Sequence, residues 1–364
     1  MYVENVDAVI GLQYGDEGKG KIAASIAKQI DYTLTARYNG GSNAGHTISF
    51  EYGPALKLHQ IPSGVAFAKN SYIGPGCLVN FAKLKEEATN FEEIMGFSPF
   101  DYLSISKKAI VVTEADIQSD IANQATTQGS TSSGVAPAYS NFYNRSSLLA
   151  KELHFAPKNE NIIRDVHYTR DLLLEGAQGW YLNPYQGDYP YTTSSSCHPA
   201  SAAVTFGFPA NKIRNIIGVA KCYETRSGID PNFLKVRNID ATYEEPMEDF
   251  TEIYNAIVDA GNEYGVTTGR RRNIRFLDVT RLIDAVNNSG TNILVLQKWD
   301  ILEEVSYKFN NVFNYYFDSK LYSFKSSGEM IGAVYNKLFY HCPNLEKLLI
   351  SASPVCNIDW KEHL

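Results

Sequence analysis

Residues 11–22, GLQYGDEGKGKI, combine a Gly-Lys pair with two carboxylates. A phosphate-cradling loop has the spacing G-x-x-x-x-G-K-[ST]: backbone amides and the lysine hold phosphate, and the hydroxyl holds Mg²⁺. Gly18 and Lys19 supply the Gly-Lys pair, but Gln13 stands in the first glycine's place and Gly20 in the hydroxyl's. The magnesium ligand is thus missing from its usual position, which disfavours a conventional phosphate-loop kinase or GTPase. Asp16 offers two alternatives, a hard oxygen donor for Mg²⁺ or a base toward a second substrate lying against a γ-phosphate.

Two further stretches carry charge in a pattern that suits anions and bases. GRRRNIR (269–275) sets Arg270, Arg271 and Arg272 side by side. Regular structure would point them apart as a solvated basic face, whereas a glycine-led loop can turn two toward one carboxylate through the bidentate guanidinium fork. LVLQKWD (294–300) reads as a strand ending in Lys-x-Asp. A carboxylate at Asp300 can accept from both N1–H and the 2-amino group of guanine while the Lys298 stem covers the ring. Adenine offers no such donor pair, so the motif favours GTP over ATP.

These groups need a frame. DAVIGL (7–12) reads as a buried strand, and Ile22, Ile26 and Ile30 fall four apart on one helix face. Strand, glycine loop and helix form the opening unit of an α/β nucleotide-binding fold. Strand-like runs recur at 71–76, 172–179, 215–222 and 292–297. Helix-like segments lie at 81–95 and 277–290, the latter with Leu277, Val279, Leu282, Ile283 and Val286 on a common face and a glycine cap. The polar stretch 119–141 is the least core-like part of the chain and reads as a long functional loop.

Composition bounds the function classes. The 364 residues are 44% hydrophobic and 20% charged, with a net charge of −7, ordinary for a globular protein with a large core. No apolar run approaches the ~18 residues of a membrane span, and the N-terminal stretch lacks a secretory pattern. The five cysteines are scattered without a C-x-x-C pair, so neither zinc site nor disulfide framework is expected and a cytoplasmic location fits. The acidic balance argues against broad nucleic-acid binding.

QYGDEGKGK resembles the phosphate loop of adenylosuccinate synthetases, where Trp usually stands in the place of Tyr14. NGGSNAGHT (39–47), LHQIPSG (58–64), GSTSSGVAPAY (129–139), LEGAQG (174–179), YPYTTSS (189–195), EYGVTTGRRR (263–272) and LQKWDIL (296–302) resemble further motifs of that family in the same order. The resemblance implies an α/β fold with a large, mostly parallel central sheet, flanking helices and a GTPase-like nucleotide site. It also implies one domain over residues 1–364, with long functional loops at about 119–145 and 263–275.

The reaction implied joins IMP and L-aspartate at the expense of GTP. Asp16 would remove the N1 proton of IMP so that O6 attacks the γ-phosphate, and the aspartate amine would then displace phosphate at C6. His46 would donate toward the GTP phosphates, with Gln178 beside it as a third catalytic group, and Mg²⁺ would be held by Asp16 and the Gly45 carbonyl. GTP contacts carry over to Gly15, Glu17, Gly18, Lys19, Gly20, Lys21, Thr47, Arg272, Lys298, Trp299, Asp300 and the loop Ser351, Ala352, Ser353. Acceptor contacts carry over to Asn43, Ala44, Thr131, Gln178, Thr193 and Arg270, with Arg145 reaching across a homodimer to the IMP phosphate of the other copy. The aspartate loop would be Val266, Thr267, Thr268, Gly269, Arg270, Arg271 and Arg272.

Departures from the family pattern bear on specificity. Ser42, Ser130 and Ser133 stand where His, Thr and Arg are common, Asn273 follows the arginines where another arginine is usual, and Ser351–Pro354 reads Ser-Ala-Ser-Pro where Ser-Thr-Gly-Pro is common. The last change leaves ATP as a second donor to test. Some phage relatives use (d)GMP and make 2-aminoadenylosuccinate, typically with a small residue at the loop aspartate that admits the 2-amino group. Asp16 is present here, which favours IMP. A GTP-binding regulator without ligase chemistry is disfavoured because Asp16, His46 and the arginine loop all remain.

Overall fold

The computed structural model describes residues 1–123, 131–157, 160–237, 239–240, 250–265 and 269–364, and the backbone alone of 243–246. Eight strands form a central sheet: β1 (Tyr2–Gly11), β2 (Leu34–Arg37), β3 (Ser71–Ile73), β4 (Leu103–Ile105), β5 (Tyr168–Glu175), β6 (Ile213–Lys221), β7 (Ile293–Gln297) and β8 (Lys347–Ser351). Their order is β8-β7-β6-β1-β5-β2-β3-β4, and every neighbouring pair is parallel.

Parallel strands are normally covered on both faces, and the apolar runs obey this. On one face Val9, Leu173, Ile217, Val219, Ile293 and Val295 pack with Ile22 and Ile26 of helix α1 (Lys19–Gln29) and with Trp360. On the other, Ile10, Leu12, Ala220, Leu294 and Leu296 join the helices Val279–Ser289 and Trp299–Lys308. A second, four-stranded sheet, Tyr223–Arg226, Asn273–Asp278, Phe313–Phe317 and Lys320–Phe324, continues from the end of β6.

The chain leaves β1 toward β5 and β2 on one side and reaches β6 and β7 on the other. A strand-order reversal of this kind opens a crevice at the carboxyl ends of the strands, where α/β folds bind ligands. The loops after β1, β2, β5, β6, β7 and β8 all open there.

The segment read as one long loop, 119–141, is instead flanked by helices at Glu114–Asn123 and Val135–Tyr143. Two of its described polar residues are internal fasteners: Asp120 Oδ2 accepts from Gly134 N at 2.8 Å, and Asn141 Nδ2 donates to Asp116 Oδ1 at 2.8 Å. Residues 124–130, including Ser130, lie outside the described residues, as do Val266, Thr267 and Thr268 of the arginine loop.

Candidate active site

The loop from β1 to α1 is built on positive-φ residues: Gly15 at 84°, Asp16 at 59° and Gly18 at 88°. Such a path turns successive amides inward and ends on the N-terminus of α1, both features that hold anions. Glu17 is turned under the loop and is 1% exposed. Its Oε1 accepts from Gly15 N at 2.8 Å and Gln13 N at 3.1 Å, and its Oε2 pairs with Lys19 Nζ at 2.6 Å. Glu17 was expected among the nucleotide contacts; its carboxylate instead braces the loop and its lysine from behind. Gly11 and Gly179 make room for it, since a Cβ on either would overlap that carboxylate. Gln13 zips the loop to β6, with Lys221 N donating to its Oε1 at 2.9 Å and its Nε2 donating to Lys221 O at 3.1 Å.

Gly20 has a steric cause. A Cβ there would stand 2.5 Å from His46 Cβ and 2.9 Å from its Cγ. His46 opens a short strand, His46–Ile48, packed across the start of α1. The position that carries a hydroxyl in a standard phosphate loop is therefore occupied by the imidazole's own stem. His46 Nδ1 contacts Glu175 Oε1 directly. Burial, together with Arg37 and Lys19 nearby, pulls the His46 imidazole down to about 4 against the pull of Glu175. Burial alone would raise the Glu175 carboxyl, but His46, Arg37 and Ser63 hold it at about 2.

Asp16 is about a quarter exposed, and its Oδ2 accepts from Arg272 Nε at 2.9 Å. Arg272 Nη1 lies 2.5 Å from Glu263 Oε2, which also takes Lys221 Nζ at 2.8 Å; Glu263 Oε1 accepts from Tyr223 OH at 2.8 Å. Burial would raise Glu263, yet Lys221, Arg272 and Lys298 hold it down at about 2. The three consecutive arginines divide their work by strand alternation. Gly265 N donates to Arg270 O at 2.8 Å and Arg272 N to Glu263 O at 3.0 Å, closing a hairpin. Within it Arg270 lines the cleft, Arg271 turns out to Asn255, and Arg272 turns in.

One cleft, enclosing about 1190 Å³ of solvent-open space, is lined by Gly15, Asp16, Lys19, Asn43, Ala44, Gly45, His46, Thr131, Gln178, Thr193 and Arg270. Loops distant in sequence are pinned together around it. Asn39 Oδ1 accepts from Ala177 N at 2.7 Å, and its Nδ2 donates to Ser196 O at 2.9 Å. His59 has its Nδ1 2.6 Å from Ala44 O. The lining also includes Tyr14, Leu182, Tyr191, Thr192, Ser194 and Arg226, which the sequence reading did not assign. The Arg226 guanidinium lies 5.1 Å over the Tyr14 ring, and its Nη2 donates to Tyr191 O at 2.5 Å.

A second group gathers beside α1. Lys21 Nζ donates to Ser351 Oγ at 3.0 Å and Ser353 O at 2.9 Å. Burial lowers Lys21 to about 8, and Lys298 and Asp300 lie close enough to act on it. The ends of β7 and β8 thus meet next to the phosphate loop, with Asp300 in the first helical turn after β7 and Ala352 exposed. Lys298 Nζ donates to Gly261 O at 3.0 Å. Trp299, expected as a nucleotide contact, is instead a core side chain, 3% exposed among the helices behind the sheet. Thr47 is half-buried beside His46, and Arg145 is exposed past the end of the helix Val135–Tyr143 and is not among the residues lining the cleft.

Among the described residues no group of three or more His, Cys, Asp or Glu side chains could hold a metal ion. Asp16, which carries a carboxylate, and Gly45, which has a backbone carbonyl, do line the same cleft as Lys19. Two hard oxygens fit Mg²⁺ when phosphate and water supply the remaining ligands.

Comparison with known proteins converges on one family. A family model described as adenylosuccinate synthetase matches residues 8–166 and 149–327. The adenylosuccinate synthetase of Phocaeicola vulgatus is 31% identical over 362 residues, covering 84% of this chain and 82% of that protein. That of Helicobacter acinonychis is 32% identical over 349 residues, covering 82% and 80%. Among solved structures, the fully ligated adenylosuccinate synthetase of Plasmodium falciparum has a TM-score of 0.76 at 24% identity, covering 96% of this chain and 98% of its own. Cyanophage S-2L succinoaminodeoxyadenylate synthetase, bound to dGMP and to dATP as an energy donor, has a TM-score of 0.69 at 21% identity, covering 97% and 94%. At these identities the two structures speak for the fold.

Proposed function

The chain belongs to the adenylosuccinate synthetase family, and on that premise we propose that it joins L-aspartate to C6 of IMP, converting GTP to GDP and phosphate. It is a ligase that forms a C–N bond. The observation that carries the assignment of roles is the convergence of Asp16, Lys19, His46 and Arg270 on one cleft.

In this reading Asp16 takes the N1 proton of IMP, and the O6 electron pair attacks the γ-phosphorus as GDP leaves. The aspartate amine then attacks C6, the C6–O bond breaks, and phosphate departs. Phosphoryl transfer is mostly positioning and charge neutralisation, which the parts supply: loop amides and Lys19 for the phosphates, and His46 toward the leaving group. Asp16 and Gly45 would hold Mg²⁺ together with the nucleotide, and the ion would supply neutralisation of phosphate charge. Arg270 and the residues around it receive the carboxylates of aspartate. Asn43, Thr131, Gln178 and Thr193 receive the acceptor nucleotide. Lys298, Asp300 and the Ser351–Ser353 loop receive guanine, which puts the base on the side of α1 that Lys21 ties down. Arg145, exposed and outside the cleft, suits a contact to a second copy's acceptor phosphate, so the working unit is a homodimer.

Asp16 is the observation that favours IMP over GMP-type acceptors. The test incubates the protein with GTP, Mg²⁺ and aspartate and adds IMP, GMP or dGMP separately, reading phosphate release and product mass. Turnover with IMP alone supports the reading. Turnover confined to GMP or dGMP overturns the acceptor and keeps the ligase. Replacing GTP by ATP in the productive tube tests the donor.

A further inference from the structure

The stretch LEGAQG lends Gln178 to the cleft, but its acidic residue has so far no part in the chemistry. Glu175 ends β5, in register with Val9 of β1 and Arg37 of β2, and is 2% exposed. Ser63 grips it with two donors: its N–H reaches Oε2 at 2.7 Å and its Oγ reaches Oε1 at 2.7 Å. The same Oε1 contacts His46 Nδ1. An ionised carboxylate can only accept, so the hydrogen in that contact belongs to Nδ1. The charged groups acting on the imidazole are Arg37 from β2, Lys19 from α1 and Glu175 from β5. The His46 stem rests on Gly20, and with Nδ1 committed behind, the edge left to face the cleft carries Nε2.

We propose that Glu175 is a positioning residue for phosphoryl transfer: it fixes His46 as the Nδ1–H tautomer, so that Nε2, an acceptor in the resting site, is the nitrogen through which His46 must take up and hand on any proton it gives the transferring group. The inference rests on the cleft being a phosphoryl-transfer site. It differs from a merely structural ion pair because it specifies which nitrogen bears the hydrogen, as buried acids behind catalytic histidines do.

The substitution Glu175→Gln separates the two. Ser63 N–H can only donate, so it draws the new amide oxygen to the Oε2 position. The amide NH₂ then faces Nδ1, which must turn acceptor, and the ring switches to the Nε2–H tautomer. Long-range ¹H–¹⁵N correlation spectra of histidine-labelled protein, taken without substrates at about pH 8, above the ordinary imidazole range, read the tautomer directly. We expect Nδ1–H for His46 in the wild type, Nε2–H in E175Q, and Nδ1–H again in E175D. In turnover, E175Q should lose about 10²-fold in kcat, the usual worth of a positioned acid–base group, with KM for both nucleotides nearly unchanged, and E175D should recover part of the loss.

An Nε2–H tautomer in the wild type overturns the proposal, as does an E175Q enzyme of wild-type kcat. Should E175Q fail to fold by thermal melt, the wild-type tautomer and E175D still decide. Because the spectra need no substrate, a wrong acceptor assignment leaves them intact, so the two failures are told apart.

Discussion

Restoring the hydroxyl of a standard phosphate loop, by Gly20→Ser, should damage this enzyme. The Cβ introduced would lie 2.5 Å from His46 Cβ, where carbon atoms rest at about 3.5–4.0 Å, so one side must yield by roughly 1 Å. His46 cannot rotate away, because its Cβ is set by the strand and its Nδ1 by Glu175. Overpacking of that size costs about 1–3 kcal/mol, offset by up to ~1 kcal/mol of helix propensity gained on replacing glycine. The net loss of stability is therefore about 0–3 kcal/mol. The rate is the sensitive readout, since a 1 Å displacement of a reacting group costs about 10²-fold. Initial phosphate release across a Mg²⁺ titration, beside thermal melts, measures both, with Gly20→Ala as the steric control. If sterics govern, both variants lose rate alike. A G20S enzyme that is faster than wild type and needs less Mg²⁺, while G20A is slow, would refute the argument.

Asp16→Ala should abolish turnover while GTP still binds, measured by calorimetry and phosphate release; near-normal rates would end its assignment as the base. Arg270→Leu should raise the KM for aspartate more than it lowers kcat, as loss of uniform binding does, and an unchanged aspartate dependence would give that residue another task. Acid should destabilise the fold in two stages. His46 is held at about 4, below its ordinary 6.5, so the unfolded chain binds the extra proton and stability falls as pH drops from 6.5 toward 4. Glu175, held at about 2 against an ordinary 4.5, adds its loss in the same direction at lower pH. Urea midpoints that stay level from pH 6.5 to pH 4 would contradict the buried, neutral imidazole.

Much of this architecture is legible in local sequence because the signals are local. The helix read at 81–95 is found over Phe81–Met95, closed by Gly96 at φ 75°. The one read at 277–290 runs over Val279–Ser289, between Asp278 as N-cap and Gly290 at φ 77°. Ile30 was read one step too far: it caps α1 in an extended conformation. The missed strands have no such pattern. β2 is four residues ending in a buried arginine, and β8 lies at a sheet edge with mostly half-buried side chains. The second sheet is assembled by pairings across some fifty residues, such as Tyr223 with Phe276, which no window of sequence displays. The site divides likewise. Most residues that line the cleft sit in motifs, whereas Glu17, Gln13, Asn39 and Trp299 reveal their inward roles only through partners brought by the fold.

The hairpin that carries the arginines is constrained in its register. Glu263 opposite Arg272, and Gly265 opposite Arg270, fix which side chains share a face, and the period along an extended chain is two. A slip of that pairing by one residue would bring Arg271 round to the cleft, turn Arg270 and Arg272 to solvent, and strip Asp16 of its guanidinium. A change that shifts the strand 270–272 by an odd number of residues is therefore closed to this segment, whereas an even step keeps the alternation.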